Sequence, residues 1–260
     1  RKTEFQSAIP EFFTHCDTVG DPQLKEALQF LIAYSPLSDL GNIDIEYFRR
    51  QAELALITKK KTPWGEEIPS DVFMHFVLPF RVNNENPDEA RMVFQAEIMP
   101  RIEGMDLYHA ALEVNHWCHE KVAYKSTDIR TSSPLSTLKT AFGRCGEEST
   151  FTVAALRSVG IPSRQVYTPR WAHTDDNHAW VEVWVDGEWY YLGACEPSPE
   201  LNMGWFAVPA TRAIMMHTNT FGKYFGDEKT LKESDLYSQL NLLSNYAPTK
   251  KATVTVVDES

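Results

Sequence analysis

A cysteine and a histidine in the second half of the chain have the residue types and the settings that nucleophilic catalysis requires. Cys145 lies in the segment GRCGEES, where an apolar helical pattern begins, and His178 opens the segment HAWVEVWV. A thiol attacks as the thiolate, and a helix N-terminus favours the thiolate because its free N–H groups and its dipole favour negative charge. The same N–H groups can stabilise a tetrahedral oxyanion. The sequence therefore predicts a thiol of lowered pKa at Cys145, with His178 as the base that takes its proton and returns it to the leaving group.

The pattern around this pair changes from helical to extended. Residues 147–160 have the spacing of a helix that ends at Gly160, and Pro162 prevents its continuation. Strands are predicted over 163–171 and 178–185, and Asp186-Gly187 is a hairpin turn before a further strand, EWYYLGACEP. A helix that carries the cysteine, followed by a strand that starts with the histidine, is a coherent layout for a Cys-His pair.

The residues before this region are predicted to form helices. Asp21-Pro22 is typical of an N-cap followed by proline in the first turn, and the helix should reach about Tyr34. Apolar residues at helical spacing predict further helices over 44–60, 87–102 and 106–124. Residues 71–82 are ambiguous between helix and strand, and residues 125–137 are a polar loop.

Composition excludes several classes of function. The chain has 36 acidic and 25 basic residues, and a net charge of -11 opposes binding to nucleic acid. No stretch approaches the roughly 20 apolar residues of a membrane span. The four cysteines are widely spaced without a C-x-x-C pair, so no zinc ribbon is expected, although one or two disulfides remain open. His116 and His119 in HWCHE lack an obvious third ligand, so we expect neither a metal nor a cofactor.

Taken together and in order, these motifs resemble the transglutaminase-like superfamily of the papain-like fold. In that family a cysteine on a helix N-terminus is followed by a histidine on one strand and an aspartate on the next; Cys145 and His178 match the first two. The segments GRCGE, ALRSVGIPSR, HAWVEV and ACE are most similar to the peptide N-glycanase branch, over residues 106–206. The resemblance implies an α+β fold, in which the cysteine-bearing helix packs on an antiparallel sheet after a helical N-terminal region.

The chain departs from the family at the third catalytic position. Gly193 stands where the family has aspartate, and the loss of such a carboxylate lowers the rate by about 10⁴ in a well-studied triad. We expect another group to accept the imidazole N–H, with Glu196 the predicted third catalytic residue and Asp175 or Asp176 as alternatives. Strand alternation turns Glu196 away from the Gly193 face unless Pro197 causes a kink, and turns Cys195, predicted to be unpaired, toward His178. The zinc-binding cysteine pairs of eukaryotic glycanases are also missing.

Side chains near these motifs are candidates for substrate contacts. Most aromatic residues of this region are expected to pack against the strands, but exposed aromatics also recognise carbohydrate. The loop before His178 is polar, and loops on rigid strands often shape binding sites. The predicted substrate-binding residues are Arg144, Trp171, Asp176, Trp180 and Trp205.

These observations predict a cysteine-dependent acyl-transfer hydrolase that cleaves amide bonds through an acyl-enzyme. It would be a peptidase or an amidase, with a protein, peptide or glycopeptide as substrate. One alternative is a cross-linking transglutaminase, since attack by a lysine amine on the acyl-enzyme uses the same first half-reaction. The other is a binding module of impaired catalysis, which Gly193 favours.

The predicted organisation has three parts. Residues 1–104 form a helical N-terminal region, residues 105–248 form the core with a C-terminal helical extension, and residues 249–260 are a linker or the first strand of a following domain. The last part allows further C-terminal domains in the full-length protein. Because the chain starts at Arg1, we expect a processed or trimmed product; its location is left open, with the periplasm or the cell exterior favoured.

Overall fold

Helices fill most of the chain before the cysteine motif. The computed structural model describes residues 10–126, 131–250, 252 and 255. Asp21 Oδ1 accepts from the N–H of Gln23 at 2.9 Å and Asp44 Oδ1 from that of Glu46 at 2.8 Å, so N-caps start two helices where the sequence predicts them. The helices are α1 Pro10–Thr18, α2 Pro22–Tyr34, α3 Leu37–Asn42, α4 Ile45–Lys61, α5 Ser70–Phe76, α6 Ala90–Ile98 and α7 Leu107–Lys121.

Short elements connect α7 to the cysteine-bearing helix. Strand β1 (Ala123–Tyr124) pairs in parallel with β2 (Phe142–Gly143), and helix α8 (Pro134–Thr140) lies between them. Ser133 caps α8 and Pro134 occupies its first turn, so the predicted polar loop is wrong over 134–137. Residues 127–130 of that loop lie outside the described residues. Helix α9, Cys145–Ser158, begins at Cys145, as the sequence predicts, and Gly160 follows it with φ +77°.

Six strands follow: β3 Ser163–Thr168, β4 His178–Val185, β5 Glu188–Leu192, β6 His217–Phe221, β7 Thr230–Glu233 and β8 Tyr237–Asn241. They form an antiparallel sheet in the order β5-β4-β3-β6-β8-β7. Asp186 (φ +50°) and Gly187 (φ +100°) make the predicted two-residue hairpin between β4 and β5, in which both turn residues need positive φ.

The two faces of the sheet bury different sets of side chains. Val181 and Val183 of β4 join the larger hydrophobic cluster together with α9 and the N-terminal helices. Trp180, one position away and therefore on the opposite face, packs with Trp171 and Phe206 in a second cluster. The sheet is thus covered on both sides, and the cysteine-bearing helix packs on the first side as the α+β prediction requires.

Two predictions about the C-terminal part are wrong. Strand β5 ends at Leu192 instead of continuing to Pro197, because the chain turns at Gly193. The extension predicted to be helical contributes β6, β7 and β8 to the main sheet, and its helices are the short α10 (Ala207–Ala210) and α11 (Leu243–Tyr246). Its Thr- and Asn-rich strands lack the apolar alternation that would have indicated them.

The predicted boundaries at residues 104 and 248 stay predictions. The larger hydrophobic cluster runs without a break from Phe12 in α1 to Leu201, so the helical region and the core share one interior. Of residues 249–260, only 249, 250, 252 and 255 are described, and the predicted following strand lies mostly outside the described residues. Within the described ranges, no helix has the length and apolar character needed to cross a bilayer.

Candidate active site

Local contacts explain why α9 starts at the cysteine. The N–H of Arg144 donates to Glu147 Oε2 at 2.9 Å, and the Arg144 guanidinium also binds this carboxylate, at 3.1 Å. Gly143 leaves room for Glu147, since a Cβ on Gly143 would lie 2.5 Å from the Glu147 Cβ. The motif GRCGE is therefore a helix start in which the glutamate caps the N-terminus and leaves Cys145 in the first turn, half-buried.

The environment of the thiol does not lower its pKa. Burial raises the pKa of Cys145, and the nearby Glu148 carboxyl raises it further. The N–H groups of Ala179 and Gly146 donate to the sulfur and lower the pKa, but burial outweighs them. The expectation of a lowered thiol pKa is therefore wrong for this structure, because desolvation of the charged form exceeds the benefit of the helix N-terminus.

His178 lies at the start of β4, next to the residue that contacts the thiol. Its ring packs among aromatic side chains, with centroid distances of 4.6 Å to Trp205, 5.4 Å to Phe206 and 5.7 Å to Trp180. Burial in this apolar setting lowers the pKa of His178 to about 4, so the imidazole is neutral at pH 7. Within the described residues its ring nitrogens make no hydrogen bond, either to Cys145 or to an acceptor on the other side, and the Cys145–His178 separation stays a prediction.

The Glu196 side chain occupies the space that a side chain at position 193 would fill. The N–H of Glu196 donates to the carbonyl of Gly193 at 3.1 Å, and Cys195 between them has φ +57°, so residues 193–196 form a tight turn. A Cβ on Gly193 would lie 2.6 Å from Glu196 Oε2 and 2.9 Å from the Glu196 Cβ. The alternation argument is thus wrong for Glu196, because the strand has already ended. Its carboxylate lies where a side chain of residue 193 would project.

Trp205 lies between Glu196 and His178 and contacts both side chains. Its carboxylate accepts a hydrogen bond from the Trp205 side chain, whose ring is the one that lies 4.6 Å from His178. Desolvation by the surrounding atoms raises the pKa of Glu196. The expected acceptor at the His178 ring nitrogen is therefore absent from the described residues, and Glu196 contacts the neighbour of the imidazole instead.

A third carboxyl group, which the sequence reading missed, lies in the first turn of α9. Glu148 is buried, and burial together with the charges of Glu196 and Glu147 raises its pKa to about 8. When ionised, Glu148 also raises the pKa of Cys145, so its carboxyl group lies near both the thiol and Glu196. Its position three residues after Cys145, on the same side of the helix, was the available signal. At pH 7 this carboxyl holds its proton.

The other predicted residues divide between surface and core. Asp175 pairs with Arg170 at 2.6 Å on the surface, and Asp176 accepts from the Thr174 hydroxyl at 3.4 Å, so neither contacts the imidazole. Trp180 is fully buried, donates to the Tyr246 hydroxyl at 2.8 Å and stacks on Trp171, which is 4% exposed. Both indoles are part of the second hydrophobic cluster, and their prediction as substrate contacts is wrong.

Three of the predicted substrate residues remain accessible: Asp176, Trp205 and Arg144. Trp205 is 59% exposed, and the Arg144 side chain is 29% exposed while it binds Glu147. Tyr167, on the strand next to β4, also faces the thiol, since burial and the charge of Cys145 raise its pKa. The phenol of Tyr167 and the paired guanidinium of Arg144 therefore lie near the thiol, and the accessible indole of Trp205 lies beside the imidazole.

Cys195 is unpaired, as predicted, but for a different reason. All four cysteines are free thiols. The Cys195 sulfur lies 3.6 Å from the Thr152 hydroxyl and 3.9 Å from the Glu148 carbonyl, and Cys118 also contacts it. It packs beneath α9 because the turn, and not strand alternation, sets its direction. No group of three or more metal-ligating side chains occurs among the described residues.

Comparisons with known proteins agree with this arrangement. Residues 97–194 match the family model described as the transglutaminase-like superfamily. A peptide-N(4)-(N-acetyl-β-glucosaminyl)asparagine amidase of Eremothecium gossypii is 39% identical over 71 residues, which are 26% of this chain and 19% of that enzyme. The match thus covers only about a fifth of the length of this curated relative.

Solved structures show weaker likenesses. A protein of Cytophaga hutchinsonii, provisionally assigned as a cysteine protease, has a TM-score of 0.39 and 18% identity over 69% of this chain and 65% of its own. LapG of Legionella pneumophila has a TM-score of 0.35 and 13% identity over 58% of this chain and 80% of its own. These scores are too low to support an argument. Residues 97–194, which match the transglutaminase-like family model, contain both the cysteine at the N-terminus of α9 and the histidine at the start of β4.

Proposed function

We propose that this protein is a cysteine hydrolase that cleaves an amide bond through an acyl-enzyme. Cys145 attacks the carbonyl carbon, His178 takes the thiol proton and gives it to the leaving amine, and water then releases the acyl group. Cys145 is the first residue of α9, and a helix N-terminus favours negative charge, so the oxyanion would form where the helix dipole stabilises it. The observation that carries the proposal is the contact between the thiol and the N–H of Ala179, which follows His178 directly.

The protonation states define how the reaction starts. The thiol pKa is raised and the imidazole pKa is about 4, so both groups are neutral at pH 7. The resting site therefore holds no thiolate–imidazolium pair, and His178 acts as a general base when substrate is bound. His178 is the first residue of β4 and directly precedes Ala179, whose N–H contacts the thiol.

Glu196 supplies the charge that the family aspartate provides elsewhere. Its carboxylate occupies the space of a side chain at position 193 and holds Trp205 against the His178 ring. When His178 accepts the proton, a carboxylate on this side stabilises the imidazolium. Glu148 stays protonated at neutral pH and so adds no second negative charge that would oppose formation of the thiolate.

We further propose a peptide or glycopeptide as the substrate. Trp205 is the exposed aromatic next to His178, and an indole face can pack against a sugar ring or a peptide side chain. The amidase of Eremothecium gossypii, named for the asparagine-linked N-acetylglucosamine on which it acts, supports a glycosylated asparagine side chain as the first amide to test.

Acyl-enzyme formation tests the proposal. The purified protein is incubated with a library of peptides and asparagine-linked glycopeptides, quenched in acid and digested, and adducts are mapped by mass spectrometry. We expect product release from the wild type, an acyl adduct on Cys145 alone, and neither result with Cys145→Ala. His178→Ala should lose turnover while the protein stays folded.

A second measurement separates the enzyme from a binding module. Iodoacetamide should alkylate Cys145 ahead of Cys16, Cys118 and Cys195, which are all buried. His178→Ala should slow the alkylation of Cys145. Equal and slow labelling of all four thiols, without turnover of any peptide amide, would favour the binding module.

A further inference from the structure

The turn that carries Glu196 is held from outside by two side chains of α7. Asn115 is buried, its Oδ1 accepts from the N–H of Cys195 at 3.0 Å, and its Nδ2 donates to the carbonyls of Gly193 at 2.9 Å and Glu196 at 3.3 Å. The ring Nδ1 of His119 donates to the carbonyl of Cys195 at 2.9 Å. Both residues belong to the segment NHWCHE, and both bind the backbone of this turn.

The turn depends on these bonds for its shape. It has one hydrogen bond of its own, from the N–H of Glu196 to the carbonyl of Gly193. Cys195 adopts φ +57°, a left-handed conformation that residues other than glycine rarely adopt. Asn115 satisfies a donor and two acceptors of the same turn, and such multiple bonding to a buried backbone persists only where the surrounding structure determines the conformation.

We propose that Asn115, assisted by His119, is a positioning residue that sets the location of the Glu196 carboxylate. The bonds at Gly193, Cys195 and Glu196 determine where the Glu196 Cα lies, and from that point its Oε2 reaches the space above Gly193. The inference rests on the proposed function, because it assigns Asn115 an effect on catalysis that passes through Glu196. Without the bonds from α7 the turn relaxes, and the carboxylate leaves Trp205 and the His178 side of the site.

A double-mutant cycle measures this dependence. Asn115→Asp keeps the shape and the acceptor of the side chain but removes both N–H donations, and Asn115→Ala removes the whole group. We expect each single variant, and Glu196→Gln, to lower kcat by about tenfold or more with little change in KM. Because Asn115 acts through Glu196, the combined Asn115→Ala, Glu196→Gln variant should be no slower than Glu196→Gln alone.

The control is a buried polar side chain that bonds the backbone elsewhere. The Thr58 hydroxyl donates to the Leu54 carbonyl at 2.8 Å and lies 3.4 Å from the Ser158 carbonyl at the far end of α9, about 20 Å from Cys145 at 1.5 Å per residue. Thr58→Ala should lower the melting temperature as Asn115→Ala does, yet leave kcat at 20 °C and its pH profile unchanged. The Asn115 variants should instead change the pH profile of kcat in the same way as Glu196→Gln.

The outcomes separate the inference from the proposed function. Activity that survives Cys145→Ala refutes the proposed function. If Cys145→Ala is inactive but the losses of kcat in Asn115→Ala and Glu196→Gln multiply in the double variant, the proposed function stands and the positioning role of Asn115 is overturned. If Asn115→Ala does not fold, the same comparison is made with Asn115→Asp, and an unchanged kcat in a folded Asn115→Asp also overturns it.

Discussion

Exchanging the carboxylate between positions 193 and 196 tests how this site replaces the family aspartate. The structure determines which combination fits. A Cβ on Gly193 would lie 2.6 Å from Glu196 Oε2 and 2.9 Å from the Glu196 Cβ, both shorter than a normal contact, but 3.4 Å from the Glu196 carbonyl oxygen. Glycine at position 196 removes the first two contacts, whereas alanine keeps the second. The variant that can hold aspartate at position 193 is therefore Gly193→Asp with Glu196→Gly.

The expected rates follow from the role of the carboxylate. Glu196→Gly should lower kcat by up to about 10⁴, the loss seen when a triad carboxylate is neutralised, which corresponds to about 5.5 kcal/mol of transition-state stabilisation. Gly193→Asp alone should also be slower than wild type, since it displaces Glu196. The double variant should regain at least about tenfold, or about 1.4 kcal/mol, over Glu196→Gly.

The assay is kcat and kcat/KM on the amide identified by acyl-enzyme mapping, with folding checked by circular dichroism. Gly193→Ala with Glu196→Gly is the matched control, because it adds the Cβ without the carboxylate and should regain nothing. If the aspartate variant is no faster than this alanine control, a carboxylate over Gly193 does not act on His178, and the reasoning is refuted.

Three further predictions concern ionisation and stability. The alkylation rate of Cys145 should keep rising with pH through pH 8, because burial raises the thiol pKa; a rate that is already constant below pH 7 would indicate a preformed ion pair. Glu148 has its pKa raised to about 8, so the folded state holds this proton longer than the unfolded state. Stability should therefore fall by up to about 1.4 kcal/mol per pH unit between its unfolded pKa and about 8, and urea unfolding of Glu148→Gln should lack this slope; an equal slope in both proteins contradicts the assignment. Arg164 is fully buried between Glu182 at 2.6 Å and Glu228 at 2.8 Å, so replacing it by leucine should lower the free energy of unfolding by about 3–5 kcal/mol. A decrease below about 1 kcal/mol in urea unfolding would show that water solvates the two carboxylates when Arg164 is absent.

Local sequence signals were sufficient for the elements that carry the thiol and the imidazole. Asp21 and Asp44 start helices as N-caps, and Asp186-Gly187 makes a hairpin because both residues accept positive φ. Glu147 caps the helix that begins at Cys145. These interactions join residues at most three positions apart, so the sequence contains all the information that they need.

Non-local contacts set the properties that the sequence reading got wrong. The pKa of Cys145 depends on burial, which arises from residues far away in the chain, and Trp180 is buried in the second hydrophobic cluster, where its indole N–H donates to the Tyr246 hydroxyl. The strands of the C-terminal extension were missed because they are polar and join the sheet only through distant pairing: β6 pairs with β3, β8 with β6, and β7 with β8.

The sequence by itself determined the transglutaminase-like order of motifs, the helix that starts at Cys145, the strand that starts at His178 and the absence of an aspartate at position 193. Only the tertiary structure decided what stands in its place. Glu196 lies over Gly193 because a turn ends β5 early and Asn115, about 80 residues earlier in the chain, bonds that turn. A side chain that bonds the backbone of another element leaves no periodicity in the sequence, and the position of this carboxylate is therefore a property of the folded chain.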